Sequence, residues 1–274
     1  DREHQNGLAH TTWIRKSRMV PQGDLIFQRT LGDMAFVDNS LHTTEIGLQL
    51  RYSAREAYIQ KKRKRIPIEM TSPVFFLSHT IGLAEILDSE IPYHRTEISA
   101  QKRFQLGYTG RIDMVGEAMK VWNVVPFPLL VYPNQRHRHH IENNAFFLNR
   151  ALEFVADEQV TLRATFVGDD LLLAKIPIIN KLKFRELLSL RASYGRLSSG
   201  NQRGFANLDD INSEPVDLYN FPYVSHQYGS KPYVEGTIGI TNILGLLRVE
   251  YVHRFTYRNH PDALLGKVRI DVIL

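Results

Sequence analysis

The chain has 274 residues, 43% of them hydrophobic, no cysteine and a formal net charge of +5. Its length suits one large all-β domain or two small ones; the lack of cysteine excludes disulfides, thiol catalysis and cysteine-ligated zinc, and the charge licenses no more than a weak attraction to anionic lipid or nucleic acid. No stretch approaches the roughly 18 consecutive apolar residues of a membrane-spanning helix, so helical insertion is excluded, whereas strands that show lipid only every second residue escape that test.

In chain order, the sequence opens on Asp1 and a polar stretch with neither the charged nor the apolar region of a signal peptide. That fits a soluble internal protein or an interior part of a longer exported chain. A weak strand is expected over Leu25 to Leu31. The first clear alternation runs from Glu45 to Tyr58: Ile46, Leu48, Leu50, Tyr52 and Ala54 share one face, and Glu45, Gln49, Arg51, Ser53 and Arg55 the other. Such a strand is long for a soluble domain, whose strands peak at about five or six residues, and long enough to cross a bilayer at a tilt.

Further strands are expected over Val74 to Leu83, His94 to Leu106, Arg111 to Val121, Glu158 to Val167, Phe184 to Tyr194, Tyr233 to Thr241, Leu246 to Thr256 and Gly266 to Leu274. In the seventh to last of this series, Thr96, Ile98, Ala100, Phe104 and Leu106 oppose Arg95, Glu97, Gln101 and Arg103. Leu188, Leu190, Ala192 and Tyr194 oppose Arg185 and Arg191. Leu247, Val249, Tyr251 and Phe255 oppose Arg248, Glu250 and Arg254, and Val268, Ile270, Val272 and Leu274 oppose Lys267, Arg269 and Asp271. Glu186 is out of place, because the pattern sets it with the leucines at the strand start.

Connector lengths alternate. Gly107 to Gly110 and Asn242 to Gly245 are tight turns on one side, while Trp122 to Asp157 and Gly195 to Pro232 are long and lie on the other, as in outer-membrane barrels. Ile59 to Pro73 and Gly168 to Lys183 are longer than that pattern asks, and the latter has room for a short amphipathic helix. Tyr52, Tyr58, Phe75, Tyr93, Tyr108, Trp122, Tyr194, Tyr233, Tyr251 and Tyr257 fall near strand ends, where interfacial belts need them, although aromatics favour strands in general.

Four blocks then carry a resemblance: PFPLLVYPNQ (Pro126 to Gln135), FFLNRALEFVADEQVTL (Phe146 to Leu162), KIPIINKLKFRELLSLRASYG (Lys175 to Gly195) and YVEGTIGITNILGLLRVEYVHRFTY (Tyr233 to Tyr257). In this order they resemble a family of Bacteroidota outer-membrane proteins that carry an N-terminal carboxypeptidase-regulatory-like domain and a C-terminal barrel similar to the BamA-like surface-antigen superfamily. The resemblance covers the chain from about Thr43 onward. It implies an antiparallel transmembrane β-barrel of about sixteen strands, with residues 1–274 forming its C-terminal part and the N-terminal domain absent. It further implies a bacterial outer-membrane location, outer-membrane lipid and other envelope proteins as partners, and a role in protein assembly, export or transport. The superfamily's long loop usually carries an Arg-Gly-Phe or Arg-Gly-Tyr tripeptide, which Trp122 to Asp157 lacks. Arg203, Gly204 and Phe205 spell it in the following outer loop, where a three-residue match is expected by chance.

On this reading Arg51, Arg55, Arg95, Arg103, Arg185, Arg191, Arg248, Glu250, Arg254, Arg269 and Asp271 face a lumen whose cationic wall prefers anions. Leu48, Leu50, Leu188, Leu190, Val249, Tyr251, Phe255, Val268, Ile270 and Val272 face lipid. Glu153, Asp157 and Glu158 are expected to face Arg163 or Arg185 inside the lumen, since charges there need partners. Two rivals remain. One is a soluble ligand-binding β-barrel, which inverts the faces and lines a pocket with the apolar one. The other is a structural anchor with a plugged pore.

The remaining candidates favour bland readings. His137, His139 and His140 form a metal-like tract, but the interleaved Arg136 and Arg138 repel a cation, so no metal or other cofactor is expected. Lys61 to Arg65 reads KKRKR, a solvated charge run with no aromatic-interleaved basic face beside it, and nucleic acid is not an expected partner. Nucleophile-elbow, zinc-helix and phosphate-loop motifs are absent. The acidic pairs Asp169 with Asp170 and Asp209 with Asp210 are explained by turns, so no enzymatic activity is expected.

Overall fold

Alternation favours extended backbone, and the computed structural model is all-β. It describes residues 3–21, 26–31, 34–61, 64–67, 72–86, 89, 91–133, 145–169, 173–176, 182–203, 219–261 and 263–272. Among them are thirteen strands: β1 (Glu3–Met19), β2 (Phe27–Leu31), β3 (Met34–Asp38), β4 (Leu41–Lys61), β5 (Lys64–Pro67), β6 (Val74–Leu83), β7 (Tyr93–Gln105), β8 (Gly110–Val121), β9 (Glu158–Gly168), β10 (Arg185–Arg196), β11 (Tyr233–Ile243), β12 (Leu247–Arg254) and β13 (Gly266–Val272).

Eleven of these form one antiparallel sheet in the order β1-β4-β6-β7-β8-β9-β10-β11-β12-β13, with β5 folding back on β4. From β6 onward each strand pairs with the next along the chain, so the sheet is a meander. β1 and β13 are its two ends, and among the described residues no pairing joins them. β2 and β3 form a separate hairpin within the connector from β1 to β4. The weak strand expected over Leu25 to Leu31 therefore exists but stands outside the main sheet.

Strand direction sorts the connectors by end. The turns after β7 and β11, the hairpin tip between β4 and β5 and the link from β9 to β10 lie at one end, called here the turn end. In the turn after β11, Asn242, Leu244 and Gly245 take φ values of 64°, 52° and 76°, the left-handed region that tight hairpins need. The link from β9 to β10 carries a 3₁₀ turn at Leu173–Lys175. The connectors between β1 and β4, β8 and β9, β10 and β11, and β12 and β13 gather at the opposite, cap end.

Two departures from the expected strands have physical reasons. β1 is 17 residues long yet alternates poorly: Leu8 and Ile14 share their face with His10, Lys16 and Arg18, and Trp13 shares the other with Arg15 and Ser17. β4 extends to Lys61, because β5 supplies a partner for Tyr58 to Lys61 and converts the basic run into a hairpin. Two cross-strand pairs explain glycines in strand interiors. Trp13 lies over Gly47 and Tyr93 over Gly82, at positions where a Cβ would overlap the ring.

Candidate functional site

In the middle strands of the sheet alternate residues are shielded, and most of the shielded ones are polar, with Val167, Leu187 and Val252 among the exceptions. In β10, Ser189, Arg191 and Ser193 are 7%, 5% and 1% exposed, while Leu188 and Leu190 on the other face are 48% and 52% exposed. The same inversion holds in β4, where Glu45, Gln49 and Ser53 are buried and Ile46, Leu48, Leu50 and Tyr52 exposed. It holds in β9, with Thr161 and Arg163 buried and Val160 and Leu162 exposed, and in β12, with Glu250 and Arg254 buried and Val249 and Tyr251 exposed. One cavity is lined jointly by residues of β6 to β10 and β12. Strands that far apart in the sheet meet around it because the sheet curls, with its polar face concave.

The charged candidates sit on that concave face. Arg191, Glu250 and Arg254 are buried there, and Arg51, Arg95, Arg103, Arg185, Arg248, Arg269 and Asp271 are partly buried. Arg55 lies in β4, but its side chain falls outside the described residues. Leu48, Leu50, Leu188, Leu190, Val249, Tyr251, Phe255, Val268, Ile270 and Val272 are all exposed on the convex face.

Burying charge is costly unless it is paired, and the concave face is accordingly laced with pairs. Arg103 Nε and Nη2 donate to Asp113 at 2.5 and 2.9 Å, in the bidentate geometry guanidinium favours. Arg95 stands 2.8 Å from Glu97, and Arg269 donates to Glu250 at 2.8 Å and to Asp271 at 2.9 Å. Glu45 accepts from both Arg15 and Tyr93, and Arg163 pairs with Glu117. Arg191 lies directly across from Arg163 on β9 and from Glu235 on β11, and donates to Thr237 at 3.0 Å.

The apolar core lies at the cap end. Val125, Phe127, Leu129, Leu130, Val131 and Tyr132 of the β8–β9 connector pack with Phe27 of β2, Leu41, Tyr93, Val121, Val155, Leu197 and Tyr219. Phe27 stacks on Tyr219 at 5.2 Å between ring centres, and Asn220 N–H donates to Gln28 O at 2.7 Å. Asp157 ties two connectors together, accepting from Ser198 N–H at 2.9 Å and Asn201 Nδ2 at 2.8 Å. Burial pushes the Tyr132 hydroxyl above its ordinary range; the hydroxyl donates to Phe127 O at 2.6 Å.

From this cap the Phe146–Arg150 segment descends onto the concave face. The Phe147 ring is held between two guanidinium groups, Arg191 at 4.2 Å and Arg269 at 3.5 Å from its centre, a cation–π sandwich. The backbone N–H groups of Phe147 and Leu148 donate to the two oxygens of buried Glu235, at 2.9 and 3.1 Å. Beside it, Arg254 donates to Glu153 at 2.5 and 3.1 Å. His260 Nδ1 lies 2.9 Å from Glu153, and its ring stacks on His226 at 4.3 Å.

Several sequence expectations change here. Glu153 pairs with Arg254, and Glu158 with Lys120 at 2.5 Å and Arg196 at 3.1 Å. Arg163 and Arg185, the partners expected for these acids, instead hold Glu117 and Asp169. The reason is position: residues 153–158 end the cap connector and never reach the turn half of β9 and β10. Tyr93 and Tyr233 leave the expected aromatic belt and point inward, where their hydroxyls donate to Glu45 and, at 3.1 Å, Glu235. Glu186 is accommodated at the turn end by the backbone N–H of Leu173, at 2.5 Å. His137, His139, His140, Gly204 and Phe205 lie outside the described residues, and among the described ones no group of three or more potential ligands could hold a metal. No helix among them is long and apolar enough to cross a membrane, which leaves strand crossing untouched.

Residues 1–120 match a family model described as "Family of unknown function (DUF5686) C-terminal domain". The match covers β1 to β8 up to Lys120. No curated protein matches the sequence.

Proposed function

We propose that this chain forms part of the wall of a bacterial outer-membrane β-barrel, with its convex face against lipid and its concave face toward a lumen. The observation that carries the reading is the inversion of burial. A soluble protein shields its leucines and exposes its arginines; here Leu188 and Leu190 are exposed while Arg191 and Arg254 are buried. In lipid that arrangement places apolar side chains in hydrocarbon and charges in a hydrated interior, and strand crossing leaves no backbone group unpaired except at the sheet ends. The tight turns after β7 and β11, opposite the long connectors after β8 and β10, support it as well. The soluble-barrel alternative requires the apolar face to be the shielded one, and the burial of this sheet disfavours it.

The sequence resemblance to barrels of the BamA-like surface-antigen superfamily, and to outer-membrane proteins with an N-terminal carboxypeptidase-regulatory-like domain, supports a role in protein assembly, export or transport across that membrane. A second reading has its own observation. The Phe146–Arg150 segment, locked by Glu235, Arg191 and Arg269, obstructs the concave face as a plug would, which favours a membrane anchor with a closed interior. Fractionation of cells expressing the natural protein, followed by detergent extraction and electrophoresis with and without boiling, tests the shared premise. Recovery in the outer membrane with a heat-dependent mobility shift supports a folded barrel; a soluble protein with no shift overturns it.

A further inference from the structure

The convex face changes polarity within one step of the strand register. Leu77, Ile98, Ala118, Val160 and Tyr194 lie side by side across β6 to β10 as one cross-strand row, and all but Ala118 are 44% or more exposed. Two residues nearer the cap, the next row on the same face reads His79, Thr96, Lys120, Glu158 and Arg196. None of these side chains is apolar. Between the two rows, Ser78, Met119 and Gln159 point the other way and are buried.

The polar row is joined side chain to side chain. His79 Nδ1 and Thr96 Oγ1 lie 3.0 Å apart, and Thr96 Oγ1 accepts from the indole N–H of Trp122 at 2.9 Å. Lys120 Nζ lies 4.3 Å from the centre of the Trp122 ring and donates to one oxygen of Glu158 at 2.5 Å. Arg196 Nη2 meets the other oxygen at 3.1 Å. Two fixed cations therefore share one carboxylate, and the row keeps a net positive charge even with its imidazole neutral. The Arg196 side chain remains 73% exposed in that contact, so a group with five N–H donors presents some of them outward. Trp122 is 59% exposed with its N–H fixed, as suits an indole at the level of lipid headgroups.

Resting on the lipid-facing reading of the convex face, we infer that this row is a headgroup site for an anionic phospholipid of the cap-side leaflet. Arg196 and Lys120 meet the phosphate, Trp122 lies beside the glycerol region, and the acyl chains run along the apolar rows toward the turn end. A cationic row bordered by aliphatic side chains matches a molecule that carries phosphate next to hydrocarbon, whereas a free ion or a polar macromolecule would leave one of the two uncovered. Guanidinium offers a fork suited to phosphate oxygens. The one uncompensated charge favours an anionic headgroup over a zwitterionic one by about fivefold, the effect of a single basic residue near a charged membrane surface.

The test places the protein in bilayers of chain-brominated phosphatidylcholine mixed with unbrominated phosphatidylglycerol. The chain has two tryptophans, so Trp13→Phe leaves Trp122 as its sole indole, and relief of bromine quenching reads which lipid occupies the site beside it. The expected result is a preference for phosphatidylglycerol of about fivefold, lost in Lys120→Gln with Arg196→Gln and kept in Lys120→Arg with Arg196→Lys. Lys102→Gln, at an exposed position nearer the turn end of the same face, is expected to leave it unchanged. Should Trp13→Phe not fold, the difference between the protein and Trp122→Phe isolates the same signal; should the double variant not fold, Arg196→Gln alone is expected to remove most of the preference. Equal occupancy by the two lipids, or a preference that survives the loss of both cations, overturns the inference. A fluorophore on Leu190→Cys in the same bilayers reports separately on the lipid-facing reading: quenching there with no preference at Trp122 removes the headgroup site alone, and quenching at neither position removes both.

Discussion

Arg254, fully buried at the end of β12, donates two hydrogen bonds to Glu153, which lies 101 residues earlier in the chain on the connector that caps the sheet. The pair fastens the cap to the sheet, and the neighbouring Phe154 lies in the aromatic cluster with Phe146 and Tyr233. Removing one member of a buried pair leaves the other charge uncompensated, at a cost of about 3–5 kcal/mol. Arg254→Leu is therefore expected to lower stability to urea by roughly that amount and expose the 145–157 segment to protease. Glu153→Leu combined with Arg254→Leu is expected to cost less than the sum of the two single changes, as a double-mutant cycle would record.

Acid is expected to loosen the same contact. Burial works against the Glu153 carboxylate, but the hydrogen bonds from Arg254 and from the Arg150 backbone outweigh it and hold the carboxyl below its ordinary range. Burial first, and then repulsion from His226, depress His260 below 6.5, against the opposing pull of Glu153. A depressed acid adds stability above its unfolded pKa and loses it as pH falls through the folded one; a depressed histidine makes the unfolded state the better proton acceptor below 6.5. Both signs agree. Amide exchange in residues 145–157, after correction for intrinsic rates, is expected to be faster at pH 5 than at pH 7.5 through His260, and to rise again below pH 4.5 as Glu153 takes up its proton; His260→Phe is expected to remove the first rise and leave the second.

Charge placed on the convex face separates the lipid-facing reading from a soluble one. Leu190→Arg is expected to destabilise the protein folded into lipid vesicles by about 2–4 kcal/mol, the cost of arginine near a bilayer midplane. At an exposed position of a soluble protein the same change would stay within about 0.5 kcal/mol. Denaturant titration in vesicles reads the difference.

The concave wall and its obstruction can be read by conductance. Phe147→Ala removes the ring between Arg191 and Arg269 and is expected to raise single-channel conductance in planar bilayers. Arg191→Glu with Arg248→Glu reverses two interior charges and is expected to shift ion selectivity from anions toward cations. Unchanged reversal potentials would remove the cationic wall from the account.

Much of the sheet was legible because strands with one apolar face announce themselves. β6 begins and ends where the alternation does, at Val74 and Leu83, and the strands from β7 to β13 fall within a few residues of the expected bounds. β1 was not legible, because its exposed face mixes Leu8 and Ile14 with Lys16 and Arg18, so neither face has a consistent polarity. The charged residues on the concave face could be named in advance, but their partners could not. Nothing local links Glu153 to Arg254, and Glu235 gives no sign in the sequence that it receives the Phe147 and Leu148 backbone. Phe127 to Tyr132 offered an apolar run as the signal of the cap core, with no periodicity to show what it packs against.

The central claim concerns which face of β10 meets lipid, and the absence of native cysteine makes a direct measurement clean. Leu190→Cys and Ser189→Cys, each labelled with an environment-sensitive fluorophore and folded into vesicles containing brominated lipid, place adjacent probes on opposite faces. The account predicts strong bromine quenching and a blue-shifted spectrum at position 190, with neither at position 189. Equal quenching at both positions, or quenching at 189 alone, would contradict it.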